Sequence, residues 1–103
     1  MVVKTDGARE PFDRSKIVAG VSAASKGRPV TAEQIDQLGD AIEEYARSRG
    51  PEISTAALGV EVLDRLRSLD EVAYLRFASV YKGFDDAADF QREVVLLQKL
   101  QRS

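Results

Sequence analysis

Lys4, Arg9, Arg14 and Lys16 put four positive charges into a thirteen-residue window, with Glu10 among them. Lys16 falls in the first turn of a predicted helix, where the helix dipole disfavours a cation. A bound polyphosphate reverses that cost, because free N–H groups and a lysine at a helix start make an anion site. Glu10 has the chemistry to accept hydrogen bonds from ribose hydroxyls or an adenine amino group. Val3 and Phe12 offer apolar contact to a base. On charge alone a second reading fits as well: an ordinary solvated hairpin face.

Other chemistries are excluded or unsupported. The chain has no cysteine and no histidine, which removes disulfides, a thiol nucleophile, a zinc-thiolate site and any histidine-based triad or metal site. Adjacent acids at Glu43–Glu44, Asp70–Glu71 and Asp85–Asp86 fit a polar helix face and two helix starts. The stretch GVSAASKG, Gly20 to Gly27, resembles a phosphate loop but has Ser25 for the required glycine and Gly27 for the hydroxyl that holds magnesium. No catalytic centre and no side-chain metal site is expected.

Two further features stand out. Arg76 lies in the middle of a mostly apolar helix and needs a carboxylate, a phosphate or a solvent exit. Tyr74 and Tyr81 are one heptad apart and share a face. Their hydroxyls reach either water at the edge of the core or a bound ligand.

The elements that must position these residues are legible. Length, 103 residues, indicates one domain. Net charge is −2, with an isoelectric point near 5.2, unlike a free-standing nucleic-acid binder. The longest apolar run, Val94–Leu97, is far below the ~20 residues of a membrane span. Charges at Lys4, Asp6, Arg9 and Glu10 interrupt any signal peptide. A cytoplasmic location is expected.

Residues 2–12 read as a β-hairpin turning at Asp6-Gly7, with Arg9 to Phe12 as the returning strand. Asp13 caps a first helix running to about Lys26. Thr31 and Gln34 form a capping box for a second, ended by Gly50-Pro51. Residues 52–54 are a candidate third strand. Ser54 or Thr55 caps a third helix with Leu58, Val62, Leu66 and Leu69 as its stripe. Asp70 caps a fourth, apolar around so much of its circumference that it belongs at the centre. Asp85 or Asp86 opens a fifth, striped by Phe90, Val94 and Leu97 and widened by Val95, Leu96 and Leu100. Its breadth favours packing on the bundle or on another copy.

VVKTDGAREPFDRSKI closely resembles the opening of ATP-cone domains, the allosteric nucleotide-binding modules of ribonucleotide reductase large subunits. LDEVAYLRFASVYKGFDDAADF is similar to the ATP-cone of NrdR-type repressors of ribonucleotide reductase genes. The resemblance implies an α+β fold, a helical bundle capped by a small three-stranded mixed sheet. It implies a cone over residues 1–83 and a C-terminal helix over 84–103 as an oligomerisation extension.

It also implies ATP or dATP as ligand, with Mg2+ carried by the phosphates, and an oligomer that changes with nucleotide. Carried over residue by residue, Lys4 and Lys16 lie at phosphate, Val3 borders the adenine, Glu10 approaches sugar or base, and Tyr81 contacts the nucleotide. Ser54 is a hydroxyl near the ligand. Thr5 stands where the family often has arginine or lysine, implying one phosphate contact fewer. Phe90, Val94 and Leu97 are the expected oligomer interface.

NrdR-type repressors bind DNA through a four-cysteine zinc ribbon that this chain lacks. The expectation is therefore an excised cone, or a gene product without the ribbon, that holds no zinc and binds DNA poorly. Two alternatives stay open: the cone of a reductase large subunit, and a self-association module indifferent to nucleotide.

Overall fold

A computed structural model describes residues 1–102. The hairpin is tight. Gly7, at φ 87°, closes a turn by donating to Lys4 O, and Lys4 N–H donates to Ala8 O at 2.8 Å. Glycine reaches that φ without steric cost. The strands are short: β1 is Val2–Val3 and β2 is Arg9–Glu10. Expected to Phe12, β2 stops at Glu10, because Pro11 has no N–H to donate. The third strand, β3, is Ile53–Ser54. The sheet order is β2-β1-β3, antiparallel on one side of β1 and parallel on the other.

Five helices follow from five caps. Asp13 caps α1, Arg14–Ala24, and accepts from Ser15 N–H. The helix ends two residues before the expected Lys26, with Ser25 as its C-cap. Thr31 and Gln34 close a complete capping box on α2, Ala32–Ser48. Ser54, rather than Thr55, caps α3, Thr55–Leu69. Asp70 caps α4, Glu71–Tyr81, and Asp86 caps α5, Ala87–Gln101. Each cap satisfies an otherwise unpaired N–H of the first turn.

The core lies between sheet and bundle. Val2 and Ile53 bring the sheet to it, and Val21, Ile42, Val62 and Leu66 are its largest fully buried side chains. As expected, α4 is central, packing on α1, α3 and α5, although Val80 is 84% exposed.

Arg76 has the solvent exit that its position calls for: it is exposed. Its Nη1 donates to Lys26 O at 2.7 Å and Ala24 O at 3.3 Å, satisfying carbonyls at the C-terminal end of α1 that have no intrahelical partner. The water-facing reading of Tyr74 is corrected. Its hydroxyl is buried and donates to Glu93 Oε2 at 2.7 Å. Leu97 belongs to the core at 4% exposure. The apolar residues that α5 leaves at the surface are Phe90, Val95, Leu96 and Leu100. Among the described residues no helix is long and apolar enough to cross a membrane.

Candidate functional site

Parallel pairing of β1 with β3 sets Val3 opposite Ser54. That register carries Lys4 and Thr5 over the start of α3. Thr55 Oγ1 ties the two together by donating to Val3 O at 3.3 Å. The resulting cleft has a volume of about 350 Å³ and is lined by Val3, Lys4, Thr5, Ser54, Thr55, Ala56 and Tyr81. It joins a lysine to the N-terminal end of a fifteen-residue helix, an arrangement that favours an anion. Ser54 Oγ accepts from Ala57 N–H at 3.0 Å, so its lone pairs are partly engaged in capping.

A second cleft, of about 150 Å³, adjoins the first across Thr55 and Tyr81. Its walls include Glu10, Phe12, Lys16, Ile17, Leu58 and Gly59. Glu10 Oε2 stands between the two lysines, 3.3 Å from Lys4 Nζ and 3.9 Å from Lys16 Nζ. Glu10 is thus shared by two ammonium groups, and Asp13, which lines the same cleft, is the second carboxylate near Lys16. The lysine side chains are 49% and 69% exposed, so these ion pairs are weak and readily exchanged for a phosphate.

The four-cation cluster read from the sequence divides three ways. Lys4 and Lys16 meet at Glu10. Arg9 turns to Glu52 at 3.1 Å. Arg14 crosses to α2 and holds Asp36 at 2.6 Å and Asp40 at 3.0 Å. Hydrogen bonding first to Asp36 and then to Asp40 raises its pKa, so its charge is committed to packing α1 on α2.

Tyr81 forms the wall common to both clefts. Its hydroxyl donates to Thr55 O at 3.1 Å and Ala56 O at 3.0 Å, and its ring stacks on Phe77 at 6.2 Å. Burial pushes its pKa up, so it remains a neutral phenol. The ring fits because position 59 is glycine: a Cβ there would fall inside it. The sequence offers Thr55 only as a cap candidate, and does not single out Ala56 or Gly59. Gly59 carried a signal, since glycine inside a helix costs about 1 kcal/mol relative to alanine and usually has a packing reason.

A larger hollow, about 510 Å³, lies between α1 and α4 beyond Tyr81. Its lining is apolar except for Arg76 and Ser79, and Arg76 is already spent on α1. Arg76 is the one cation among its lining residues.

A mixed sheet on five helices, with a lysine-bearing cleft at the hairpin, makes a small α+β domain. The chain belongs to the ATP cone domain family, which its residues 1–87 match. That membership implies an adenine nucleotide as ligand. The chain is 54% identical over 99 residues to the transcriptional repressor NrdR of Thermobifida fusca (strain YX), covering 95% of this chain and 65% of that one. With the NrdR repressor of Anaeromyxobacter dehalogenans (strain 2CP-C) identity is 52%, over 95% of this chain and 64% of the relative. With that of Streptomyces avermitilis it is 48%, over 99% and 55%. These relatives are repressors, not enzymes, and the chain spans only part of their length.

Proposed function

We propose that this chain is the adenine-nucleotide-sensing part of a bacterial transcriptional repressor of ribonucleotide reductase genes, and that it acts by changing its assembly with ATP or dATP. The observation that carries this reading is the pair Lys4 and Lys16 converging on Glu10 beside the start of α3. A triphosphate entering there replaces the Glu10 carboxylate as partner of both ammonium groups. Val3 and Phe12 supply apolar contact to the base, Glu10 becomes free to accept from sugar or base, and Thr5, Ser54 and Tyr81 complete the lining. Mg2+ arrives on the phosphates, since no acidic cluster suited to a metal exists among the described residues.

Assembly responds to nucleotide only if one assembly binds it more tightly than another. The surface available for this is the outer face of α5, with Phe90, Val95, Leu96 and Leu100 exposed and Val94 beside them. In this reading DNA contact needs a zinc ribbon of the kind that NrdR-type repressors carry and this chain lacks. Calorimetry with ATP and dATP, coupled to light scattering, tests the proposal. Binding at or below micromolar Kd with a nucleotide-dependent mass supports it. Absence of binding heat from the folded protein overturns it.

A further inference from the structure

The fifth helix is lightly fastened. Of its fifteen residues only Glu93 and Leu97 are buried. Phe90 adds an edge contact to Phe84 at 4.9 Å, and Arg67 reaches the carbonyl of Leu100 at 3.5 Å. Elements with so few buried contacts open at low cost.

What fixes the helix in register is a buried charge. Glu93 is 5% exposed, and both its oxygens are taken. Oε2 accepts from the Tyr74 hydroxyl and Oε1 from the Lys82 ammonium, each at 2.7 Å. A buried carboxylate is tolerated only while it is paired and hydrogen-bonded. A slide of α5 by one residue breaks both bonds together, so the helix is either docked or released. Burial, and then the Glu93 carboxylate, push the Tyr74 hydroxyl well above its ordinary range, so it stays a donor.

Both donors come from α4 and its C-cap, and Lys82 is the residue after Tyr81. The end of α4 therefore carries the wall of the nucleotide cleft at one position and the fastening of α5 at the next. Tyr81 and Lys82 are consecutive on one backbone, so any shift of the last turn of α4 moves both.

We propose that the Tyr74–Glu93–Lys82 triad is a latch, and that a nucleotide displacing Tyr81 loosens it and releases α5. The proposal rests on the nucleotide reading above and supplies its route to assembly. Release adds Leu97 to the apolar face already exposed on α5 and offers the enlarged face to a second copy. Coupling is reciprocal: if nucleotide opens the latch, an opened latch strengthens nucleotide binding.

The test combines calorimetry with hydrogen exchange on the full chain, with and without saturating Mg-dATP, for the wild type, Lys82→Met and Tyr74→Phe. Circular dichroism checks folding. Expected in the wild type is exchange across α5 that is about 5-fold or more faster with dATP. Expected in Lys82→Met is α5 exchange that is already fast and insensitive to nucleotide, with dATP bound more tightly than by the wild type. Tyr74→Phe, which keeps the ring packing, falls between. Wild-type binding that leaves α5 exchange unchanged overturns the latch, as does a folded Lys82→Met that binds dATP no more tightly. No binding heat in the wild type overturns the nucleotide reading instead.

Discussion

The ring of Tyr81 occupies the space that any side chain at position 59 would need, and its hydroxyl is bonded to the first two carbonyls of the same helix, α3. Tertiary packing here overrides local preference, because glycine is a poor residue for a helix interior. The contact fixes the end of α4 against the start of α3. The two candidate clefts meet at that junction.

Gly59→Ala is expected to lower the melting temperature. Helix propensity favours alanine by about 1 kcal/mol, but overpacking costs about 1–3 kcal/mol, and the Tyr81 hydrogen bonds are lost as well. Tyr81→Ala in the same chain relieves the clash, so the double variant is less destabilised than the two single changes added together. Thermal unfolding of the four proteins checks this non-additivity.

Lys4→Ala and Lys16→Ala are each expected to abolish adenine-nucleotide binding while changing stability by less than about 0.5 kcal/mol, as is usual for exposed side chains. Calorimetry and denaturant unfolding on the same samples separate the two effects. Arg14→Ala should do the reverse, weakening the α1–α2 contact and leaving affinity unchanged. Loss of nucleotide binding in Arg14→Ala would contradict the division of the cation cluster.

Asp70 carries the pH dependence that can be read most clearly. The Arg28 guanidinium bonds both its oxygens, at 2.9 and 3.0 Å, and with the Ala73 N–H holds its carboxyl below the ordinary value of 3.8. The folded pKa is lower than the unfolded one. The contribution is therefore present in full above the ordinary value and lost as pH falls through the lowered one. Asp70→Asn should flatten the fall in stability below about pH 4, and Asp70→Ala should cost about 0.5–2 kcal/mol as a lost cap. Urea midpoints across pH 2–7 for the three proteins test both statements.

On α5, Leu97→Glu buries a charge and should undock the helix from the bundle. Leu96→Glu changes an exposed residue and should leave unfolding unaltered within about 0.5 kcal/mol while dissociating assemblies. Light scattering beside thermal unfolding distinguishes them. Assemblies indifferent to Leu96→Glu would remove the outer face of α5 as the interface.

Element placement was legible because each helix start has its own chemistry. Asp13, Thr31 with Gln34, Ser54, Asp70 and Asp86 all act as caps, and each cap is a local event within a few residues. Partners across the fold were not legible. Arg9 and Arg14 looked like members of one cation cluster, but their carboxylates, at 52, 36 and 40, sit on segments whose facing could not be read. Tyr74 looked like a core-edge tyrosine because its acceptor, Glu93, is nineteen residues away. The available signal was an acid three residues after Phe90 and four before Leu97, on the same face of α5. Arg76 finds solvent, and also the carbonyls of Ala24 and Lys26, a partner that the sequence does not indicate. The converging pair Lys4 and Lys16 was accessible because hairpin and first helix are adjacent in the chain.

The most direct measurement is a crystal structure of the protein with Mg-dATP. The account predicts the triphosphate against Lys4 Nζ and Lys16 Nζ at the start of α3, with the Tyr81 ring moved from its seat on Gly59. A nucleotide bound in the apolar hollow between α1 and α4, or anywhere that leaves both lysines on Glu10, would contradict it.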